Sequence, residues 1–340
     1  MTPDLDPNYL THEQLAGQRL LAGFDGTELN RDLKLLIGTL KVAGIILFAR
    51  NIRSPQQVRR LCQDVQEYAA SCGQPPLLIA VDQEGGQVAR LKPPFFTQFP
   101  GNPEMRDETD AVSFARVTAE ELHGIGVNMN MAPVMDVTDP RIDSVMRKRA
   151  FGSDPKRVAR LGGIVIDGLQ GRGIMAVAKH YPGIGRTTLD SHLDQPHLKA
   201  GTDEMERVDL PPFAAAIEHD VAGIMLSHIL YQDMDPDWPA SLSPRIALKR
   251  LRNHMGYDGI VMTDDLDMGA IKGRYGIEII MRQISGADID LALICHKGPD
   301  IRKAFDGLQE IIVTSMEGKA SAQRSAERVI RTKRRYLSGK

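Results

Sequence analysis

The chain has 340 residues, 42% hydrophobic and 25% charged, with 42 basic residues set against 44 acidic ones. A formal net charge of −2 gives no electrostatic reason to bind nucleic acid or an anionic membrane. Three cysteines, odd in number and without metal-ligand spacing, argue against a disulfide framework; with no signal-peptide pattern and no apolar run of ~18–20 residues, a soluble cytoplasmic protein is expected.

In chain order the same unit recurs. Gln18–Phe24 reads as a first strand closed by the turn Asp25-Gly26, and a helix-like stretch over 30–40 leads to the apolar Gly44–Phe48. Ser54-Pro55 predicts a capped helix with Val58, Leu61, Cys62 and Val65 on one face. Leu77–Val81 is a third strand, ending at Asp82. A helix over about 110–123 stops at Gly124-Ile125-Gly126, and Val127–Met131 follows as a fourth strand, terminated by Ala132-Pro133. Asp154-Pro155 starts a helix reaching Leu169, and the fifth strand, Gly173–Ala178, delivers Lys179 and His180. After a long loop the next helix begins near Asp203. Val221–Leu226, Gly259–Thr263 and Leu291–Ile294 complete eight strands, a helix capped by Ser243-Pro244 intervening.

Eight apolar strands alternating with capped helices predict parallel βα units closed into a single (β/α)8 TIM barrel, an α/β fold spanning 1–340, with a basic helix over about 320–340. The cations of that last helix are expected to form a solvated face. Asp82, Lys179-His180, His228, Asp264 and His296 all fall just past strand C-termini, the face on which barrel enzymes hold their chemistry.

The residue types suggest acid–base chemistry. Asp264 and Asp265 end an apolar strand, and strand alternation lets one of them enter the barrel mouth. Asp264 suits a nucleophile, while Asp265 is expected to cap the next helix toward the 266–270 amides. Asp190 and His192, two apart in the long loop, suit an imidazole acid/base oriented by a carboxylate. In Asp82-Gln83-Glu84-Gly85-Gly86, with Arg90 beyond, carboxylate and guanidinium can bind sugar hydroxyls, or brace a turn as a plain salt bridge. No glycine pattern of a nucleotide site follows a strand.

Together the motifs Ala22-Gly23-Phe24-Asp25-Gly26, Val81–Gly86, Lys179-His180-Tyr181-Pro182-Gly183 through Asp190-Ser191-His192, and Thr263-Asp264-Asp265-Leu266 resemble the bacterial cytoplasmic β-N-acetylglucosaminidases of glycoside hydrolase family 3. Arg149-Ala150-Phe151-Gly152 and Met225–Ile229 fit as well. The resemblance implies a (β/α)8 barrel, Asp264 as nucleophile and His192, assisted by Asp190, as acid/base. It implies that Asp82, Arg90, Arg149, Lys179 and His180 hold N-acetylglucosamine, with His228 near the same pocket. The implied reaction is retaining exo-hydrolysis of GlcNAc linked β-1,4 to 1,6-anhydro-N-acetylmuramic acid, with or without peptide. No metal or organic cofactor is expected; the expected partner is a small soluble muropeptide or disaccharide, met by a monomeric chain without nucleic acid or membrane.

The chain departs from the family pattern at Ile184, where His is usual, and at Arg186, where an acidic or small residue often stands. Asp288-Ile289-Asp290 is a further departure, expected to alter the local wall. Three rivals follow. One is a phosphorylase, or another family 3 β-glycosidase, on the same barrel, with Arg186 on phosphate. The second is a barrel metallohydrolase, disfavoured because no His pair ends the first strand. The third is a non-catalytic sugar-binding barrel, which has no need of Asp264 and His192.

Overall fold

In a computed structural model that describes residues 9–187, 197–198 and 201–337, eight strands close on themselves in sequence order. They are β1 Leu20–Ala22, β2 Gly44–Leu47, β3 Leu78–Val81, β4 Met129–Asn130, β5 Met175–Tyr181, β6 Gly223–Leu226, β7 Ile260–Asp265 and β8 Leu291–Ile294. Every barrel pairing is parallel, and β1 closes the ring by pairing with both β8 (Leu20↔Ala292) and β2 (Leu21↔Gly44). The expected (β/α)8 barrel is present.

Strand alternation sorts the apolar residues into two layers. Ile45, Leu47, Ile79, Val81, Ala176, Ala178, Ile224 and Val261 face outward into the core shared with the helices. Ile46, Leu78, Ala80, Val177 and Leu293 face inward with Met129, Met131, Met175, Met225, Met262 and Cys295. Thioethers therefore fill much of the barrel interior, where flexible side chains can fill a tapering space. Both faces of each strand are buried, which explains why the strands read as continuous apolar runs rather than alternating ones.

The caps behave largely as the sequence predicts. Ser54 Oγ accepts from Gln57 N to start the Pro55–Ser71 helix, and Asp154 accepts from Lys156 N ahead of Pro155–Gln170. The helix expected from 110 begins at Glu108, because Asp107 is its cap and accepts from the Thr109 and Asp110 amides. The stretch over 30–40 divides into an α-helical start, Arg31–Lys34, and a π-helical continuation, Leu35–Thr39. Behind Ser243, whose Oγ accepts from Ile246 N at 3.0 Å, Arg245–His254 is wound as a π-helix.

Two expectations are corrected at the N-terminal end of the barrel, opposite the mouth. Asp288 and Asp290 precede β8 there and alter no wall of the mouth. Asp290 accepts from Val261 N at 2.8 Å and pairs with Arg252 and Arg328, while Asp288 takes Arg328 and Arg324. The last helix, Met316–Leu337, is accordingly not a wholly solvated basic face. Arg328 and Lys333 turn inward and are buried, Val329 and Tyr336 join the barrel interior, and Arg331, Arg334 and Arg335 stay exposed. Buried carboxylates require paired cations, and this helix supplies two of them. Among the described residues no helix is long and apolar enough to cross a membrane.

Candidate active site

Asp82 follows β3 and leads into a short hairpin, Gln83–Gly85 against Val88–Ala89. Gly85 and Gly86 turn it with φ of 85° and 59°, and a Cβ on Gly86 would stand 2.9 Å from the Pro100 carbonyl oxygen, so both geometry and space demand glycine. The buried Gln83 side chain locks the return, its Oε1 accepting from Arg90 N (2.9 Å) and Leu91 N (3.0 Å). Arg90 is thereby brought to Asp82, Nη2 to Oδ2 at 3.1 Å.

From β5, Lys179 reaches across the mouth. Its Nζ donates to Asp82 Oδ1 at 2.8 Å and to Glu84 Oε1 at 2.7 Å, with the side chain only 3% exposed. Arg149, on the loop after β4, closes on Glu84 through two bonds, Nη2 to Oε1 at 2.7 Å and Nε to Oε2 at 3.0 Å. Three cations and two carboxylates thus alternate along one shelf. Burial opposes charge on both carboxylates, but Lys179 with Arg90 at Asp82, and Lys179 with Arg149 at Glu84, overcome it, holding Asp82 well below the usual range and Glu84 below its ordinary value. Fixed, desolvated charges of this kind can bind several hydroxyl groups without reorganising.

The Lys179–His180 peptide is cis, and the register against β6 shifts between Lys179 and Tyr181. Both side chains reach the mouth. His180 Nδ1 lies 2.8 Å from Asp136 Oδ2, and its Nε2 lies 3.4 Å from Arg149 Nη2.

Asp264 ends β7 inside the same ring. Its Oδ1 accepts from the next amide, Asp265 N, at 2.8 Å. Burial alone would raise its pKa, but the groups around it, the His180 and His228 rings, the Asp265 amide and Lys179, hold it below the ordinary value, so it is ionised at neutral pH. His228 acts on the next peptide: Nε2 lies 2.8 Å from the Asp265 carbonyl oxygen and Nδ1 2.7 Å from Ser241 Oγ. A carbonyl can only accept, so Nε2 carries a proton. The residue whose amide supports Asp264 is therefore held at its carbonyl as well.

Asp265 points away from that role. Its Oδ1 accepts from Asp267 N, within the span expected of a cap, and also from Cys295 N across the barrel, both at 3.0 Å; the next helix starts only at Gly269. Asp265, Asp267 and His296 bring ligand-type atoms within 4.8 Å of one another. These carboxylates are already committed, since Asp267 takes Lys272 Nζ at 2.6 Å and His296 N at 2.9 Å. His296 itself is largely exposed, outside the ring.

Asp190 and His192 lie outside the described residues. The first turn after β5 does not: Tyr231 Oη donates to Gly183 O at 2.8 Å, Ile184 N to Asp136 Oδ1 at 2.7 Å, and Thr187 N to Ile184 O. Ile184's side chain joins the hydrophobic core. Arg186 is buried and spent on Asp209 and on Glu204, so it is not available to hold phosphate.

Glu84 and Asp136 are the two site residues that sequence reasoning missed. Glu84 stood in plain view inside the glycine-rich motif, three residues from a strand. Asp136 offered only one signal, an acid in the apolar run Met131–Val137.

A closed parallel barrel with an ionised aspartate and a shelf of alternating fixed charges at its C-terminal mouth has the make-up of a carbohydrate-cleaving enzyme. The model of the glycosyl hydrolase family 3 N-terminal domain matches residues 12–332. A β-hexosaminidase of Pseudomonas aeruginosa is 33% identical over 299 residues, 87% of this chain and 87% of that protein. One of Thiobacillus denitrificans is 36% identical over 287 residues, 82% of this chain and 78% of that protein. The solved structure of a glycoside hydrolase family 3 β-N-acetylglucosaminidase from Paenibacillus sp. FPU-7 is 36% identical with a TM-score of 0.91; the match covers 96% of this chain and 63% of that longer one. The chain belongs to glycoside hydrolase family 3.

Proposed function

We propose that the chain is a retaining exo-β-N-acetylglucosaminidase that removes terminal GlcNAc from soluble peptidoglycan fragments, its natural substrate being GlcNAc β-1,4-linked to 1,6-anhydro-N-acetylmuramic acid, with or without peptide. The observation that carries the reading is Asp264, charged, supported by the Asp265 amide and set among the groups of the shelf. The hexosaminidase activity is supported by relatives that carry that name along most of their length.

In this scheme Asp264 attacks the anomeric carbon while His192 gives its proton to the leaving oxygen, and Asp190 stabilises the imidazolium before that transfer. His192 then takes a proton from water, water displaces Asp264, and the sugar leaves with its configuration retained. The scheme requires neither metal nor cofactor. The roles of Asp190 and His192 rest on their motif.

The test compares aryl β-N-acetylglucosaminide with aryl β-glucoside. Wild type should prefer the N-acetyl substrate strongly and release the β-anomer first, as read by NMR. Asp264→Asn should lose at least about 10³-fold in kcat, and His192→Ala should suffer least with the best leaving groups. A folded but inactive wild type, or an α-anomer released first, defeats the reading. Faster release from the anhydro-disaccharide than from chitobiose would identify the natural substrate.

A further inference from the structure

Asp136 touches two things at once, and neither is explained by the chemistry above. It has no exposed surface, and it follows β4 by way of the Ala132–Pro133 turn. One oxygen, Oδ2, faces His180 Nδ1 at 2.8 Å. The other, Oδ1, accepts from Ile184 N at 2.7 Å and more distantly from His180 N at 3.4 Å.

The neighbours of the His180 ring settle where its proton sits. An ionised carboxylate only accepts, so the nitrogen facing Asp136 must donate. A guanidinium only donates, so the nitrogen facing Arg149 must accept. Both ends demand the same neutral tautomer, with the proton on Nδ1 and a lone pair on Nε2. The Arg149 contact is long at 3.4 Å, while Arg149's short bonds go to Glu84. Arg149 thus makes poor use of that lone pair.

We infer that Asp136 is a positioning residue for substrate binding: it locks His180 as the Nδ1-protonated tautomer, so that Nε2 accepts a hydrogen bond from a hydroxyl of the bound sugar. The same carboxylate ties the first turn after β5 to the ring through the Ile184 amide. Because it uses only the backbone of residue 184, the change of side chain there leaves this link in place. The hydroxyl partner rests on the proposed sugar substrate; the tautomer does not.

Asp136→Asn gives a sharp forecast. Oδ1 must remain an acceptor for the Ile184 amide, so the amide nitrogen of Asn replaces Oδ2 and faces Nδ1. A donor there forces Nδ1 to accept and moves the proton to Nε2, against Arg149 and against the sugar hydroxyl. An isosteric change would thus flip the ring's hydrogen-bonding polarity.

The experiment is long-range ¹H–¹⁵N spectroscopy of ¹⁵N-histidine-labelled protein, with His180 assigned by its loss in His180→Gln. Wild type should show protonated Nδ1 and bare Nε2 at neutral pH, and Asp136→Asn the reverse. An Nε2–H tautomer or an imidazolium in wild type overturns the inference, and that spectrum needs no activity and no Asp136 variant, only a folded His180→Gln for its assignment. Kinetically, Asp136→Asn should lower kcat/KM about 10-fold, chiefly through KM, yet change it less than about twofold in the His180→Gln background. Equal losses in both backgrounds would mark a merely structural role. Should the aryl N-acetylglucosaminide not be cleaved at all, the substrate reading falls while the tautomer is still decided by the spectrum.

Discussion

Arg186 shows how a single departure from a family pattern is absorbed. Its guanidinium meets Asp209, a carboxylate with no exposed surface, and burial pushes that acid up to about 7 even with Arg186 beside it. Arg186→Met removes the cation. Below about pH 6 Asp209 is protonated in the folded state with or without its partner, so the loss there should be small. As pH rises past 7 the wild-type carboxyl ionises beside its guanidinium while the variant's stays protonated, and the loss should grow by about 1.4 kcal/mol per pH unit. Denaturant unfolding at pH 6 and pH 8 checks this; a loss independent of pH would mean that packing, not charge, is what Arg186 supplies. Product analysis of wild type with and without phosphate should give the same free sugar, since the one candidate phosphate contact is engaged elsewhere.

The elements were legible where local pattern decides them. Asp82, Lys179, His180, His228 and Asp264 could be read as site residues because each follows a buried apolar strand that announces its own C-terminal end. Asp136 could not, since its partners His180 and Ile184 lie 44 and 48 residues along the chain and nothing near it repeats. Asp288 and Asp290 were expected to alter the local wall, and their actual pairing was illegible for a related reason. They precede β8 rather than follow it, and their cations come from a π-helix and from the last helix, neither adjacent in sequence. That cluster makes its own prediction. Asp290→Asn leaves Arg252 and Arg328 short of charge and should cost about 3–5 kcal/mol of stability. Because the cluster sits at the far end of the barrel from Asp264, kcat/KM per folded molecule should not change, which separates unfolding from a catalytic effect.

For the molecule as a whole, the last helix is a structural closure rather than a basic appendage. Lys333 lies buried against Gln18, Nζ to Oε1 at 2.8 Å, and burial lowers its pKa to about 7. The unfolded chain, with an ordinary lysine near 10.4, binds the extra proton between those two values, so stability should rise with pH from about 7 to about 10. Lys333→Met should remove that slope and stabilise the protein at pH 7 by on the order of 2–4 kcal/mol. Denaturation midpoints of both proteins at pH 7 and pH 9 test it, and parallel slopes would exclude Lys333 as the source. The same reasoning explains why composition misled: a count of cations says nothing about which of them the fold turns inward.

The thioether-filled interior has a practical consequence. Met129, Met131, Met175, Met225 and Met262 line the inside of the barrel, while Cys295 stands just beyond β8 beside the strand that carries Asp264. Methyl-labelled methionine would place narrow, well-dispersed resonances along the barrel's own axis. Sugar entering the mouth would then be visible from beneath, as a graded shift that fades with depth, without attaching any probe to the binding surface.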